Sequence, residues 1–197
     1  MLILGVTGGS GAGKTTVLRE AERRGALILD CDEIYHELLA TSGKMLSEID
    51  EAFPGAVENG VLDRKKLGNI VFGDPAALKR LSALTHRHVK KEVRRRLKQS
   101  DAPLAAIDAI GLIESGLGRL CDATICVTAP LEARVRRIMA REGISESYAR
   151  ARIGAQKPDS YYLRYCTHHI INDYPSAKDF ARVAGRLLDQ IIKGETT

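Results

Sequence analysis

Gly8-Gly9-Ser10-Gly11-Ala12-Gly13-Lys14-Thr15 matches G-x-x-x-x-G-K-[ST] at every fixed position. Glycines so placed let a backbone wrap a phosphate with successive N–H groups turned inward as an anion nest. A helix opening at Lys14 adds roughly half a positive charge at its N-terminus. Lys14 then reaches the β- and γ-phosphates as a point charge, and Thr15 can place a hydroxyl on Mg²⁺. A glycine-rich turn that binds nothing is the alternative. The setting argues against it, because the motif directly follows the apolar run Leu2 to Val6 and precedes a helical period. A nucleoside triphosphate and Mg²⁺ are therefore expected, though the loop alone does not separate kinases, GTPases and motor ATPases.

Carboxylates come next. Asp30 and Asp32 follow a second apolar run, Ala26 to Leu29. In a doubly wound sheet, ligands bind outside the carboxyl ends of the strands, so both are expected near the loop. A kinase acting on an alcohol needs a carboxylate to orient the hydroxyl and take its proton, and Asp32 is the candidate. Either Asp could instead cap the following helix, and both roles can coexist, one for each residue. Asp108 ends a third apolar run in a Walker B-like position, where it could hold a metal-bound water or simply tie a turn. Glu114 suits substrate contact or plain solvation.

Arg134, Arg136, Arg137 and Arg141 share one helical period, with Arg137 and Arg141 four apart on one face. Guanidinium groups suit the charge that builds on a transferring phosphoryl group. A solvated basic helix paired with Glu132 and Glu142 is the other reading. The segment beyond Arg141 could be a mobile lid that excludes water. His86-Arg87-His88 opens another basic run, through Lys98. No aromatic residue interleaves its charges, which favours a small polyanion or plain solvation over nucleic acid. Cys166-Thr167-His168-His169 lacks metal-ligand spacing.

The elements that must carry these groups alternate along 197 residues. Apolar runs at Leu2 to Val6, Ala26 to Leu29, Leu104 to Ile110, Ala123 to Thr128 and His169 to Ile171 read as strands, with helical periods between them. The expected class is α/β, one domain over 1–197 with a five-stranded parallel sheet and helices on both faces. It carries a mostly helical insertion at about 43–100 and a polar helical lid at about 140–165. Hydrophobic residues make up 44% and charged residues 28%, which excludes disorder and fibrous classes. Four dispersed cysteines argue against a disulfide framework. No run approaches the length of a membrane span, and the N-terminus lacks a basic leader. A cytoplasmic protein is expected.

Taken together, the chain resembles the dephospho-CoA kinase family. The likeness spans almost the whole chain. It rests on Thr7 to Thr16, Asp30-x-Asp32 with Ile34 and His36, Asp63-Arg64-x-x-Leu67, Val71-Phe72 and Leu84-Thr85-His86. It continues through Asp108, Glu114-Ser115-Gly116, Arg137-x-x-x-Arg141, Gln156 and Ile170-Ile171-Asn172. The resemblance implies a P-loop kinase fold and transfer of the γ-phosphate of ATP to the ribose 3′-hydroxyl of dephospho-CoA. It implies Asp32 as the base, with Lys14 and Arg141 as charge stabilisers. It implies nucleotide contacts from Gly8, Gly9, Gly11, Ala12, Gly13, Lys14, Thr15, Thr16, Arg137 and Asn172, with the metal at Thr15. Acceptor contacts fall to Asp32, His86, Asp108 and Glu114, and the acceptor insertion to about 60–100. A monomer or weak homo-oligomer is expected, without nucleic-acid or membrane partners. Two departures stand near the acceptor residues. The family usually has His-Pro where this chain has His86-Arg87, and Asp-x-Pro-Leu-Leu-x-Glu where Asp108 to Glu114 lacks the Pro and the first Leu.

A uridine-kinase-like nucleoside kinase is the alternative enzyme. A regulatory GTPase would usually carry Asn-Lys-x-Asp, which is not found. The net charge of +5 is uneven. Residues 87–98 hold seven basic residues and one acidic, and 131–164 hold eight against four, so the rest of the chain is net negative. The surplus lies in the insertion and lid, where a kinase handling ATP and a pyrophosphate-bearing acceptor needs it.

Overall fold

The computed structural model describes residues 1–194. The remaining residues of the expected 1–197 domain, 195–197, lie outside the described residues. The chain divides into two compact units, one formed by Met1–Leu29 with Asp101–Thr197 and the other by Asp30–Ser100.

The first unit is built on parallel strands. Strand β1 (Leu2–Thr7) is central, pairing with β5 (Leu104–Asp108) on one side and β6 (Ala123–Thr128) on the other. Strands β2 (Ala26–Asp30) and β7 (His168–Ile171) complete a five-stranded sheet of order β2-β5-β1-β6-β7. Leu4 to Thr7 and all of β6 are buried. Both faces are therefore covered, and these strands read as apolar runs rather than alternations. Strand β5 stops at Asp108, two residues short of the expected Ile110: Ala109 N still donates to Val6 O, and the turn opens at Ile110.

Helix α1 (Lys14–Glu22) buries Val17, Leu18 and Ala21. Helix α9 (Ala177–Lys193) buries Phe180, Ala184, Leu188 and Ile191, a stripe at three- and four-residue spacing. The two stripes share one core cluster with the sheet. Arg24 fastens the pair, donating to both carboxylate oxygens of Asp189 at 2.7 and 3.1 Å. Helix α6 (Leu131–Glu142) follows β6. The expected polar helical segment consists of two short helices, α7 (Glu146–Gly154) and α8 (Asp159–Tyr165).

The second unit runs through α2 (Cys31–Thr41), α3 (Gly43–Ala52), α4 (Arg64–Val71) and α5 (Pro75–Gln99). Each starts on a side-chain cap. Asp30, Ser42, Asp63 and Asp74 accept from first-turn N–H groups, and Pro75 occupies the first turn of α5 where its missing donor costs nothing. Met45, Ile49, Phe53, Leu67 and Val71 form its core. A small antiparallel hairpin, β3 (Val57–Glu58) and β4 (Val61–Leu62), interrupts the expected helical run. Its turn holds Asn59 and Gly60 at φ 52° and 76°, the left-handed pair that a two-residue hairpin needs.

Among the described residues, no helix is long and apolar enough to cross a membrane.

Candidate active site

The glycine loop joins β1 to α1 inside the first unit. Gly13 stands at the helix N-cap with φ 111°, and no side chain caps the helix. The first-turn N–H groups of α1 thus lack the carboxylate or hydroxyl acceptor that every helix start of the second unit has, which is what a phosphate acceptor needs. Two glycines are required by approach as well as by φ. A Cβ on Gly8 (φ 135°) would lie 2.1 Å from Val127 O, and one on Gly13 would lie 2.3 Å from Asn172 Nδ2. The cradle is therefore held open by the absence of side chains.

Its carbonyl side is tied down by residues from far along the chain. The Arg134 guanidinium is buried and its Nε donates to Ser10 O at 3.0 Å. Arg134 also reaches Gln156 Oε1 at 3.3 Å and Asp159 Oδ1 at 3.4 Å. Gln156 accepts from Ser10 N at 2.9 Å and donates to Ser10 Oγ at 2.7 Å. Arg137 donates to Gly11 O at 3.2 Å and to Asn172 O at 3.3 Å. Asn172 Nδ2, itself buried, donates to Ala12 O at 2.8 Å. Burial and the neighbouring Arg136 press the Arg137 pKa down, with Asp173 opposing, and an arginine so placed still keeps its proton.

Arg134→Met keeps much of the volume and removes the donors. We expect it to lower stability by about 2–3 kcal/mol, because charge-assisted partners are left unmet inside. That corresponds to a fall of roughly 5–10 °C in melting temperature for a chain of this size. Thermal denaturation with and without ATP checks it, and an unchanged melting temperature would mean that the loop supports itself.

Lys14 is half-buried, and its Nζ donates to Gly8 O at 3.0 Å, which puts the ammonium over the loop. Thr15 is exposed in the first turn of α1, Thr16 half-buried beside it. Asp108 lies beside Val6 in the β1–β5 register, one residue before the strand end that feeds the loop. Its Oδ1 is buried without a hydrogen bond, although the residue as a whole is engaged. Thr15 and Asp108 are oxygen donors of the type Mg²⁺ takes when phosphates and water supply most of its shell. The glycine cradle and this donor set fit an Mg²⁺–nucleotide.

The other expected residues are spread more widely. Arg141 is exposed at the end of α6 and pairs with Glu142. Glu114 is an exposed turn residue whose charge reaches Tyr161 and Tyr162. Burial first, and then Glu114, push the Tyr162 hydroxyl up to about 12. In the second unit, Asp30 Oδ1 accepts from Asp32 N at 2.8 Å and Glu33 N at 3.1 Å. Asp30 is thus the helix cap, and the Asp32 carboxylate, exposed in the first turn of α2, is left out of the cap. His86 lies half-buried on α5. Sequence reasoning did not single out the Ser10–Arg134 contact. Its partners stand 124 residues apart, and nothing within α6 marks one arginine of four as buried.

Comparison with known proteins adds the identity of the scaffold. The family model described as dephospho-CoA kinase matches residues 2–178. A dephospho-CoA kinase of Geobacter sulfurreducens is 39% identical over 163 residues, covering 80% of this chain and 83% of that protein. One of Thermus thermophilus is 34% identical over 193 residues, covering 98% and 93%. The solved dephospho-CoA kinase from Campylobacter jejuni superposes with a TM-score of 0.66 at 27% identity, covering 98% of each chain. A braced glycine loop on a parallel sheet, followed by a match along nearly all of its length, leads to one conclusion: the chain belongs to the dephospho-CoA kinase family.

Proposed function

We propose that the protein transfers the γ-phosphoryl group of ATP to the ribose 3′-hydroxyl of dephospho-CoA, giving coenzyme A and ADP. The observation that carries this reading is the α1 N-terminus, left without a side-chain cap and preceded by a glycine loop tied down through its carbonyls, in a chain of this family. Loop amides from Gly8 to Thr16 and the helix N-terminus bind the β- and γ-phosphates. Lys14 sets its charge against the oxygens on which charge grows in the transition state. Arg137 and Arg141 add guanidinium charge on the same side of α6, and Ala12 and Asn172 complete the nucleotide contacts. Thr15 would hold Mg²⁺, with Asp108 reaching a bound water. That ion, when bound, neutralises charge on the phosphate oxygens.

Asp32 orients the acceptor hydroxyl. As its oxygen bonds to the γ-phosphorus, the bond to the β,γ-bridging oxygen breaks and that oxygen leaves with ADP. The hydroxyl proton passes to the Asp32 carboxylate. His86 and Glu114 contact the acceptor, and the segment 140–165 acts as the lid that keeps water from the phosphoryl group.

A coupled assay with ATP and either dephospho-CoA or uridine tests the reading. Product gaining one phosphoryl group is expected from dephospho-CoA alone. A phosphorylated nucleoside with dephospho-CoA untouched would overturn it in favour of a nucleoside kinase.

A further inference from the structure

Cys126 and Cys166 take no part in the reaction above. Both are free thiols, distant in sequence, and the first unit brings them together. Thr124 and Cys126 stand two apart on β6, so their side chains leave the same face of the strand. Helix α8 ends at Tyr165, and Cys166 caps it with an extended backbone, its N–H donating to Tyr162 O at 3.0 Å. The next residue fixes the chain there. Thr167 N donates to Thr124 Oγ1 at 2.9 Å, and Thr124 N donates to Thr167 Oγ1 at 2.9 Å. Cys166 is thereby held against β6, where its sulfur accepts from the Cys126 thiol and the Thr124 hydroxyl.

The two thiols are unlike. Cys126 is buried, and its proton is committed to the bond with Cys166. That bond first, and then burial, push the Cys126 thiol up. Cys166 is half-buried and receives two donors. The Cys126 donor, foremost, pulls its pKa down against burial, and Thr124 acts in the same direction. A sulfur so placed carries more of the thiolate, the form that attacks an oxidant. A cavity of about 340 Å³ opens beside it, with Thr124 and both chain neighbours of Cys166, Tyr165 and Thr167, in its wall. Cys121 also lines this cavity, but burial, chiefly, and Asp122 push that thiol up to about 12.

We infer that Cys166 is a site of oxidation by a small hydroperoxide, and that Cys126 resolves it into a disulfide joining the end of α8 to β6. The Cys166 thiolate attacks one oxygen of hydrogen peroxide. The O–O bond breaks, the second oxygen takes a proton and leaves as water, and Cys166 becomes a sulfenic acid. The Cys126 sulfur then bonds to the Cys166 sulfur. The S–O bond breaks, and its hydroxyl leaves as water with the Cys126 proton. Two electrons have passed from the thiol pair to the peroxide, and a dithiol reductant returns them by exchange. Helix α8 also carries Asp159, which pairs with Arg134 at 3.4 Å, so the disulfide adds a covalent tie to a helix already linked to the phosphate loop. The inference does not rest on the proposed reaction.

Treatment of the reduced full chain with hydrogen peroxide, followed by thiol counting and peptide mapping without reductant, tests it. A Cys126–Cys166 linkage within one chain is expected, with free thiols falling from four to two and returning on addition of dithiothreitol. In Cys126→Ser the hydroxyl still donates but cannot resolve the sulfenic acid. Dimedone added with the peroxide is then expected to label Cys166 at least about tenfold more than Cys121. The linkage map of the unaltered chain needs no variant, so it decides the matter even if Cys126→Ser folds poorly. A disulfide through Cys31 or Cys121, a linkage between two copies, or four free thiols after treatment overturns the inference. Dimedone on Cys121 rather than Cys166 in the variant does so as well.

Discussion

Lys14→Ala is expected to lower turnover of ATP with dephospho-CoA by about a hundredfold to a thousandfold, the usual loss when one preorganised donor to a growing charge is removed. Lys14 Nζ lies over the loop at the Gly8 carbonyl, and without it the loop itself offers the phosphates only neutral amides and a helix end, the Arg137 and Arg141 guanidiniums coming from α6. The lost charge is one that strengthens as the phosphoryl group transfers, so kcat falls rather than KM alone. Lys14→Arg should restore little, since a planar guanidinium does not replace a compact ammonium inside a glycine cradle. The fold should survive, because the braces of the loop are Arg134, Arg137, Gln156 and Asn172 rather than Lys14. Single-turnover measurements beside a thermal melt check this. A folded Lys14→Ala protein of normal activity would remove the phosphate loop from the mechanism.

Asp32→Asn is the second large effect. General-base catalysis is worth about 10²- to 10⁴-fold, and a loss of that size in kcat is expected, with ATP affinity nearly unchanged. The structure makes the contrast with its neighbour sharp. Asp30 is the helix cap and Asp32 is not. Asp30→Ala should therefore cost about 1 kcal/mol of stability through the frayed start of α2. Asp32→Asn should leave the melting temperature in place. Equilibrium binding of ATP to both variants decides the matter. An equal fall in ATP affinity and turnover for Asp32→Asn would make it a metal or structural residue instead.

The glycine loop can be read from the sequence because its chemistry is contiguous, eight residues between an apolar run and a helical period. The five strands are readable for a related reason. Burial on both faces writes β1, β5 and β6 as apolar runs, and the expected strand bounds lie within one residue of the observed ones except at the end of β5, which stops two residues early. Asp30 and Asp32 could not be told apart locally, since either type caps a helix. The choice falls to Asp30 because its extended backbone closes β2 and turns its carboxylate onto the next N–H groups. The β3–β4 hairpin carried a signal, Asn59-Gly60 between apolar residues, but strands of two residues show no alternation to read. The braces of the loop carried none. Arg134 differs from Arg136 only in which way one turn of α6 faces, and that is decided by Ser10 and Gln156 after the chain has folded.

Those long-range braces also bear on how the molecule comes to be made. Strand β1 pairs Leu2 with Leu104 and Leu4 with Ala123, and the contact from Asn172 to Ala12 spans 160 residues. Contacts of such separation carry a high loop-closure entropy and form late. The unit Asp30–Ser100, by contrast, is one continuous stretch of helices capped by their own neighbours. The nucleotide loop thus depends for its shape on residues that follow it by more than 120 positions, and truncation before Asn172 is expected to leave it without its Ala12 brace. Anything that binds the braced loop and not the unfolded chain stabilises the fold, so ATP is expected to raise the melting temperature of the full chain.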